Sequence, residues 1–288
     1  MSAGTQWGAA VILALVMGCS RGGERPLAAK VFVADEKGFY VTSTVISGER
    51  DAILVDAQFT LSNAQRLADS IQASGKALKT IFITHAHPDH YFGLQAITAK
   101  FPNAEILAAP EVVEQMKTLG PQKVAQWKPL YGADLTDAPL VPRSFDGDHL
   151  TLEGRRIDLV ELEPGEVEYS TVVYIPSIKT AVTGDLAYGG THVWLAEADA
   201  PRREGWLRNV KKVEALTPEV VIPGHEVPGS EHAAAVLDST AQYIRDFDEA
   251  VKQSRSAADV VAKMSAIYGT RRLPVVLDIA AQAAFAGR

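Results

Sequence analysis

The hexad His85-Ala86-His87-Pro88-Asp89-His90 packs four potential metal ligands into six residues and holds three of the chain's seven histidines. Neutral imidazole and carboxylate suit zinc, iron and manganese, so a cluster of this kind invites a pair of divalent ions. The apolar run Thr80-Ile81-Phe82-Ile83 immediately precedes it. A rigid strand ending there would fix where the ligands point, and the segment is expected as a loaded loop at a strand's C-terminal end. The alternative is a polar turn whose histidines merely cluster.

A dinuclear site needs more groups than one loop provides, and strand ends hold such groups rigidly. Three later strand ends offer them: Glu163-Pro164-Gly165-Glu166, Thr183-Gly184-Asp185 and Ile222-Pro223-Gly224-His225. Glycine beside each ligand lets backbone pass close to a metal cluster.

The elements that must position these groups follow from apolar spacing. Ala29–Val33, Phe39–Ser47 and Ala52–Val55, the last ending at Asp56, are expected as strands, and Ser62–Gly75 as a helix. Gly93–Lys100 reads as a short helix, Ala104–Ala108 as a strand, and Pro110–Leu119 as a helix with proline in its first turn. Pro121–Pro139, which holds Trp127 and Tyr131, reads as an irregular loop and a candidate lid or substrate wall. Strands recur at Leu140–Phe145, His149–Leu152, Arg156–Leu162, Ser170–Ile175, Thr180–Thr183 and Val220–Ile222. Helices are expected at Pro201–Leu216 and Ser230–Ser254, with two more in Ala257–Ala286 broken near Gly269 and Pro274. Strands with helices occur twice over, the outline of an α/β sandwich in which two sheets are covered by outer helices.

This set of motifs, in this order, resembles the metallo-β-lactamase-fold hydrolase superfamily from about Ala29 to Val227. The resemblance rests on Asp56 at an early strand end, the hexad, the Pro-Gly turn before Glu166, the Gly184-Asp185 pair and the Pro-Gly-His225 turn. It implies an αββα sandwich with two divalent metals at one edge, zinc foremost, with iron or manganese also compatible. By the same resemblance His85 and His87 bind the first metal, Asp89, His90 and His225 the second, and Asp185 bridges both. Asp56 then orients the hexad loop without binding metal.

One position departs from the family pattern, which usually reads Pro-Gly-His where this chain has Pro164-Gly165-Glu166. Glu166 becomes the third protein ligand of the first metal, as carboxylates do in other hydrolases. Its charge weakens the metal as a Lewis acid and moves preference somewhat towards iron or manganese. If Glu166 points away instead, the first site is weak or empty. Glu163 and Glu168 read as surface residues, and His149 and His232 as structural or solvated.

Hydroxide held between two such metals is the nucleophile the resemblance implies, with Asp89 orienting the water or passing on its proton. Tyr188 stands at the offset from Asp185 where lactonase members of the superfamily carry a tyrosine, and is expected either to meet a developing oxyanion or to pack at the loop base. His192 and Trp194 follow in the same loop as candidate cleft residues. The expected reaction is hydrolysis of a small ester, lactone, lactam or thioester. An iron-dependent oxidoreductase of the sulfur dioxygenase type and a non-catalytic metal-binding envelope protein are the alternatives.

At 288 residues, with 47% hydrophobic and 22% charged content, the chain can bury a large core. The formal net charge of −7 and the want of a dense Lys/Arg run argue against nucleic acid as a partner and for a small-molecule substrate. The apolar stretch Gly8–Gly18 suits a secretory signal, and Val16-Met17-Gly18-Cys19-Ser20 resembles a bacterial lipoprotein cleavage site. Residues 1–19 are therefore expected as a signal with lipidated Cys19, the alternatives being a simply cleaved signal or a retained short anchor, with 20–28 as a linker and 29–288 as one domain. The expected location is the periplasm, with a lipid anchor in the outer membrane as the membrane contact. No basic residue precedes the apolar run, which departs from the usual signal start. The sequence does not set the oligomeric state.

Overall fold

The computed structural model describes residues 26–286, and the expected signal and Cys19 lie outside them. Six strands form the first sheet in chain order: β1 (Ala28–Val33), β2 (Thr42–Ser47), β3 (Asp51–Val55), β4 (Ala77–Ile83), β5 (Glu105–Ala108) and β6 (Arg143–Ser144). β1 to β3 pair antiparallel, and β3 to β6 parallel, with helices making the crossovers. Those helices are α1 (Leu61–Ala73), α2 (Pro88–Tyr91), α3 (Leu94–Lys100) and α4 (Pro110–Tyr131). The second sheet contains β7 (His149–Leu152), β8 (Arg155–Glu161), β9 (Thr171–Ile175), β10 (Thr180–Val182) and β12 (Val220–Ile222), in the order β12-β10-β9-β8-β7. A separate pair, β11 (Tyr188–Gly189) and β13 (His225–Glu226), lies parallel. Helices α5 (Ala200–Glu214), α6 (Ala235–Lys252), α7 (Ala257–Tyr268) and α8 (Pro274–Phe285) complete the chain.

Residue alternation divides the core into three layers. In β4, Phe82 joins the cluster that also contains Ile157, Val173 and Ile222 of the second sheet, whereas Ile81 and Ile83 pack with Leu67 and Ile71 of α1. In β9, Val173 and Ile175 face the first sheet, and Val172 and Tyr174 join Trp206 of α5 and Phe247 of α6. Strands buried on both faces read as continuous apolar runs, which is why period two is faint in the sequence. The result is helices, sheet, sheet, helices: the α/β sandwich expected from the motif order.

Two expectations about elements fail. The segment from Pro121, expected to be irregular, continues α4 to Tyr131 with Pro121 and Pro129 inside the helix. Proline removes a backbone donor, so the helix needs tertiary support there. Trp127 and Tyr131 supply it by packing edge-on against Phe59, 5.7 and 4.8 Å between ring centroids, with Phe39 beside them. The strand expected over Leu140–Phe145 shrinks to Arg143–Ser144 at the sheet's edge.

Candidate metal centre

Every candidate ligand sits where a strand gives out at one edge of the sandwich. β4 delivers the hexad, the β8–β9 connection carries Glu166, β10 leads into Asp185, and β12 leads through Pro223-Gly224 to His225. Asp56, just after β3, is the organiser. Its carboxylate accepts from the Thr84 backbone N–H and hydroxyl, both at 2.9 Å, and meets His90 Nδ1 at 2.7 Å. Two glycines are sterically required. Gly184 has φ +51°, and a Cβ on Gly224 would collide with the Asp185 carboxylate.

Seven side chains converge in two groups: His85, His87, Glu166 and Asp185 in one, Asp89, His90 and His225 in the other. Asp185 faces both. Its Oδ2 lies 3.7 Å from His85 Nε2 and 3.6 Å from His87 Nδ1, while its Oδ1 lies 3.0 Å from His90 Nε2 and 3.3 Å from His225 Nε2. Glu166 Oε1 is 3.4 Å from His87 Nδ1, and Asp89 Oδ2 is 3.3 Å from His225 Nε2. Ligands about 2.0–2.2 Å from a tetrahedral ion stand roughly 3.3–3.6 Å apart. The donor set therefore has the spacing of two shells sharing one carboxylate.

A second observation says what the cluster lacks. The Nε2 atoms of His85 and His90, both oxygens of Glu166 and Oδ1 of Asp185 are buried without a hydrogen-bond partner. Buried polar atoms are almost always paired, so this concentration of orphans at one point fits a cation pair that they would ligate. The outer nitrogens of all four ligand histidines are engaged, His90 Nδ1 by the Asp56 carboxylate at 2.7 Å. His85 Nδ1 meets the Thr84 hydroxyl at 2.9 Å, His225 Nδ1 donates to the Phe39 carbonyl at 2.7 Å, and His87 Nε2 faces Glu197 at 3.3 Å. Each ring is thereby turned so that its other nitrogen points inward.

The electrostatics carry the same tension. Burial, reinforced by the neighbouring His90, pushes His85 down to about 4. Burial would also lower His87, but Glu166, Asp185 and Glu197 outweigh it and hold its value well above the ordinary one. Burial holds the Glu166 carboxyl well above the usual carboxylate range. Burial would raise Asp185 too, yet His225, His90 and His85 keep it well below. Without cations, the cluster shares protons among groups that cannot all take their charged forms.

The structure brings Tyr188 to the cluster in an unexpected orientation. It is 2% exposed, stacks on the His225 ring at 5.2 Å, and its hydroxyl donates to Asp185 Oδ2 at 2.8 Å. It anchors Asp185. His192 and Trp194 are not brought to the cluster by any hydrogen bond, ion pair or ring contact among the described residues. His192 Nδ1 is 2.7 Å from the Tyr243 hydroxyl, and Trp194 packs against the core under α5 and α6. His232 is a buried partner of Glu226 at 2.9 Å, and His149 pairs with Asp148 at the surface. Sequence reasoning missed Glu197, which bridges His87 to Lys123 of α4 at 3.0 Å. A single acidic residue in Leu195-Ala196-Glu197-Ala198 carries no motif, and no local signal marks it.

The chain belongs to the metallo-beta-lactamase superfamily, whose family model matches residues 37–225. It is 25% identical over 240 residues to a linear primary-alkylsulfatase from Pseudomonas sp. (strain ATCC 19151), a match covering 70% of this chain and 45% of that protein. The chain thus spans less than half the length of that curated relative. Among solved structures, a metallo-beta-lactamase family protein from Thermus thermophilus superposes with a TM-score of 0.65 at 17% identity, covering 90% of this chain and 91% of the other. A beta-lactamase domain protein from Burkholderia ambifaria gives 0.64 at 16% identity, covering 89% and 85%. These two likenesses establish the fold.

Proposed function

We propose that the protein is a hydrolase that uses two divalent metals, zinc foremost, to cleave a small ester, lactone, lactam or thioester. The observation that carries this reading is the convergence of seven ligand groups whose inward atoms are buried and unpartnered. His85, His87 and Glu166 would hold one ion, Asp89, His90 and His225 the other, and Asp185 both. Ions so held would acidify a shared water and polarise the substrate oxygen.

The chain's own residues then have separable tasks. Asp185, anchored by the Tyr188 hydroxyl, fixes the separation of the two halves. Asp89, whose side chain is 13% exposed against 3% for Asp185, is the ligand carboxylate that reaches the mouth, where it can orient water or pass a proton to the leaving group. Phe39, Trp127 and Tyr131 stand beside this edge as partly buried aromatics that exclude water from an apolar substrate portion.

A sulfate ester is the second reading, favoured by the name of the curated relative. The deciding experiment loads the protein with zinc, manganese or iron and assays chromogenic carboxylic and sulfate esters and lactones, with and without chelator. Turnover that is lost on chelation, restored by metal and lost in Asp89→Ala and His225→Ala supports the reading. Turnover intact in both variants ends it. One iron per chain with substrate-dependent oxygen uptake would replace it with the oxidoreductase.

A further inference from the structure

Two residues past the ligand His225, at Val227, the chain enters the wall of a cleft of about 500 Å³ whose other walls include Tyr40, Gly190, Thr270, Arg271 and Arg272. Its floor continues the β11–β13 pairing. Tyr188 pairs with His225 and Gly189 with Glu226, and the Val227 N–H donates to the Gly189 carbonyl at 2.9 Å. Val227 is two residues past the ligand, roughly 7 Å along an extended chain. Tyr40 adjoins Phe39, whose carbonyl holds His225, and the Tyr40 carbonyl accepts from the Glu226 N–H.

The two arginines here are in different states. Arg271 is committed: it donates to the Thr191 carbonyl at 2.7 Å and the Ser239 hydroxyl at 2.9 Å, and lies over the Tyr243 and Tyr268 rings. Arg272 is held only by its backbone, through its N–H to the Gly190 carbonyl and its carbonyl to the His192 N–H, both at 2.9 Å. Its side chain is exposed and, among the described residues, makes no hydrogen bond or ion pair. No carboxylate lines the cleft among the described residues, although the chain's net charge is −7. In an acidic protein, an arginine fixed by its backbone and left without a counter-charge in a cleft is suited to an oxyanion.

We infer that this cleft is a substrate subsite: Arg272, assisted by the Tyr40 and Thr270 hydroxyls, binds a carboxylate or sulfate group of the substrate remote from the bond that is cleaved. The inference rests on the hydrolase reading for the molecule's role as substrate, and on the cleft alone for its charge. A planar guanidinium takes either oxyanion through two parallel donors, and the charge-assisted contact selects anionic over neutral substrates of equal length.

The test compares the metal-loaded full chain with its Arg272→Gln variant on 4-nitrophenyl valerate and on 4-nitrophenyl hemiglutarate, which adds a terminal carboxylate. The expected result is a preference for the hemiglutarate of about tenfold or more in kcat/KM that collapses in Arg272→Gln mainly through KM, and that weakens with added salt. An absent preference, or one equal in the variant, overturns the subsite while valerate turnover leaves the hydrolase standing. Should neither ester be turned over, the hydrolase reading fails for esters and calorimetric titration of glutarate and of inorganic sulfate into both proteins decides the subsite. Binding about tenfold weaker in Arg272→Gln supports it, and equal binding overturns it. The two anions show which oxyanion the cleft favours, and circular dichroism of the variant confirms its fold.

Discussion

The two halves of the metal centre are supported differently. In the half made by Asp89, His90 and His225, the histidines are gripped from behind by the buried Asp56 carboxylate and by the Phe39 carbonyl, both at 2.7 Å. In the half made by His85, His87 and Glu166, the grips are a threonine hydroxyl and Glu197, a side chain 40% exposed and 3.3 Å away, while neither Glu166 oxygen has any partner. Outer partners fix a ligand's orientation and raise its basicity. The half made by Asp89, His90 and His225 is therefore preorganised, whereas the half made by His85, His87 and Glu166 is completed only when its ion arrives.

The largest effect should come from the residue the halves share. Asp185→Asn removes the charge facing both groups, so metal content should fall from two per chain to one or fewer. Turnover should drop by more than the roughly 10–100-fold typical of losing an outer partner. Elemental analysis alongside the ester assay measures both. Retention of two tightly held ions would mean that the halves do not depend on Asp185.

Glu166→Gln probes the weaker half directly. One ion should be lost and the other kept, with the remaining affinity close to that of the unaltered protein, as read by calorimetric metal titration. Two ions bound as before would show that Glu166 is no ligand. The outer partners rank next. Asp56→Asn should weaken the second ion's binding by about 10–100-fold, and Glu197→Gln should weaken the first ion's by less, because its contact is longer and half in water. Equal effects would erase the asymmetry.

How much of this is legible in the sequence depends on how local each signal is. The hexad, Asp185 and His225 announce themselves because ligand types and glycines are adjacent in sequence. The strands are legible because each is a short apolar run. The second half of α4 is hidden because prolines at 121 and 129 outweigh any local propensity, and the packing of Trp127 and Tyr131 on Phe39 and Phe59 is a property of the folded chain. The orientation of Tyr188 and the partners of His87 also depend on residues far apart in sequence. Glu197 is 110 positions from His87. His192 follows the ligand loop in sequence, as a cleft residue would, but Tyr243 draws it into the core beneath α6.

Protons test both halves together. In the metal-free protein His87 and the Glu166 carboxyl both have values well above their ordinary ones, and both must shed protons to bind an ion. Burial would lower His90 and His225 too, but Asp185, with Asp56 and Asp89, outweighs it and holds both above the ordinary value, so loading either half should release protons at neutral pH and the affinity of both ions should fall as pH drops. Titrations in buffers of different ionisation enthalpy count the protons. Binding of either ion with no proton release would contradict the assignment.

The smallest effect concerns His192, a buried histidine outside the cluster that serves as its control. Burial, with Arg271 nearby, pushes it down to about 4, below the unfolded value of about 6.5. Between those values the unfolded chain binds the extra proton, so stability is full above about 6.5 and declines as pH falls towards 4. His85 is displaced in the same direction by burial and His90, so in the metal-free protein the two contributions overlap. Metal removes the ambiguity, because a ligating nitrogen no longer titrates as a free one does. In the metal-loaded protein, His192→Gln should flatten the remaining acid-side slope of denaturant-derived stability while leaving metal content at two. If the substitution instead lowers metal content, His192 belongs to the centre after all, and the division between cluster and core must be redrawn.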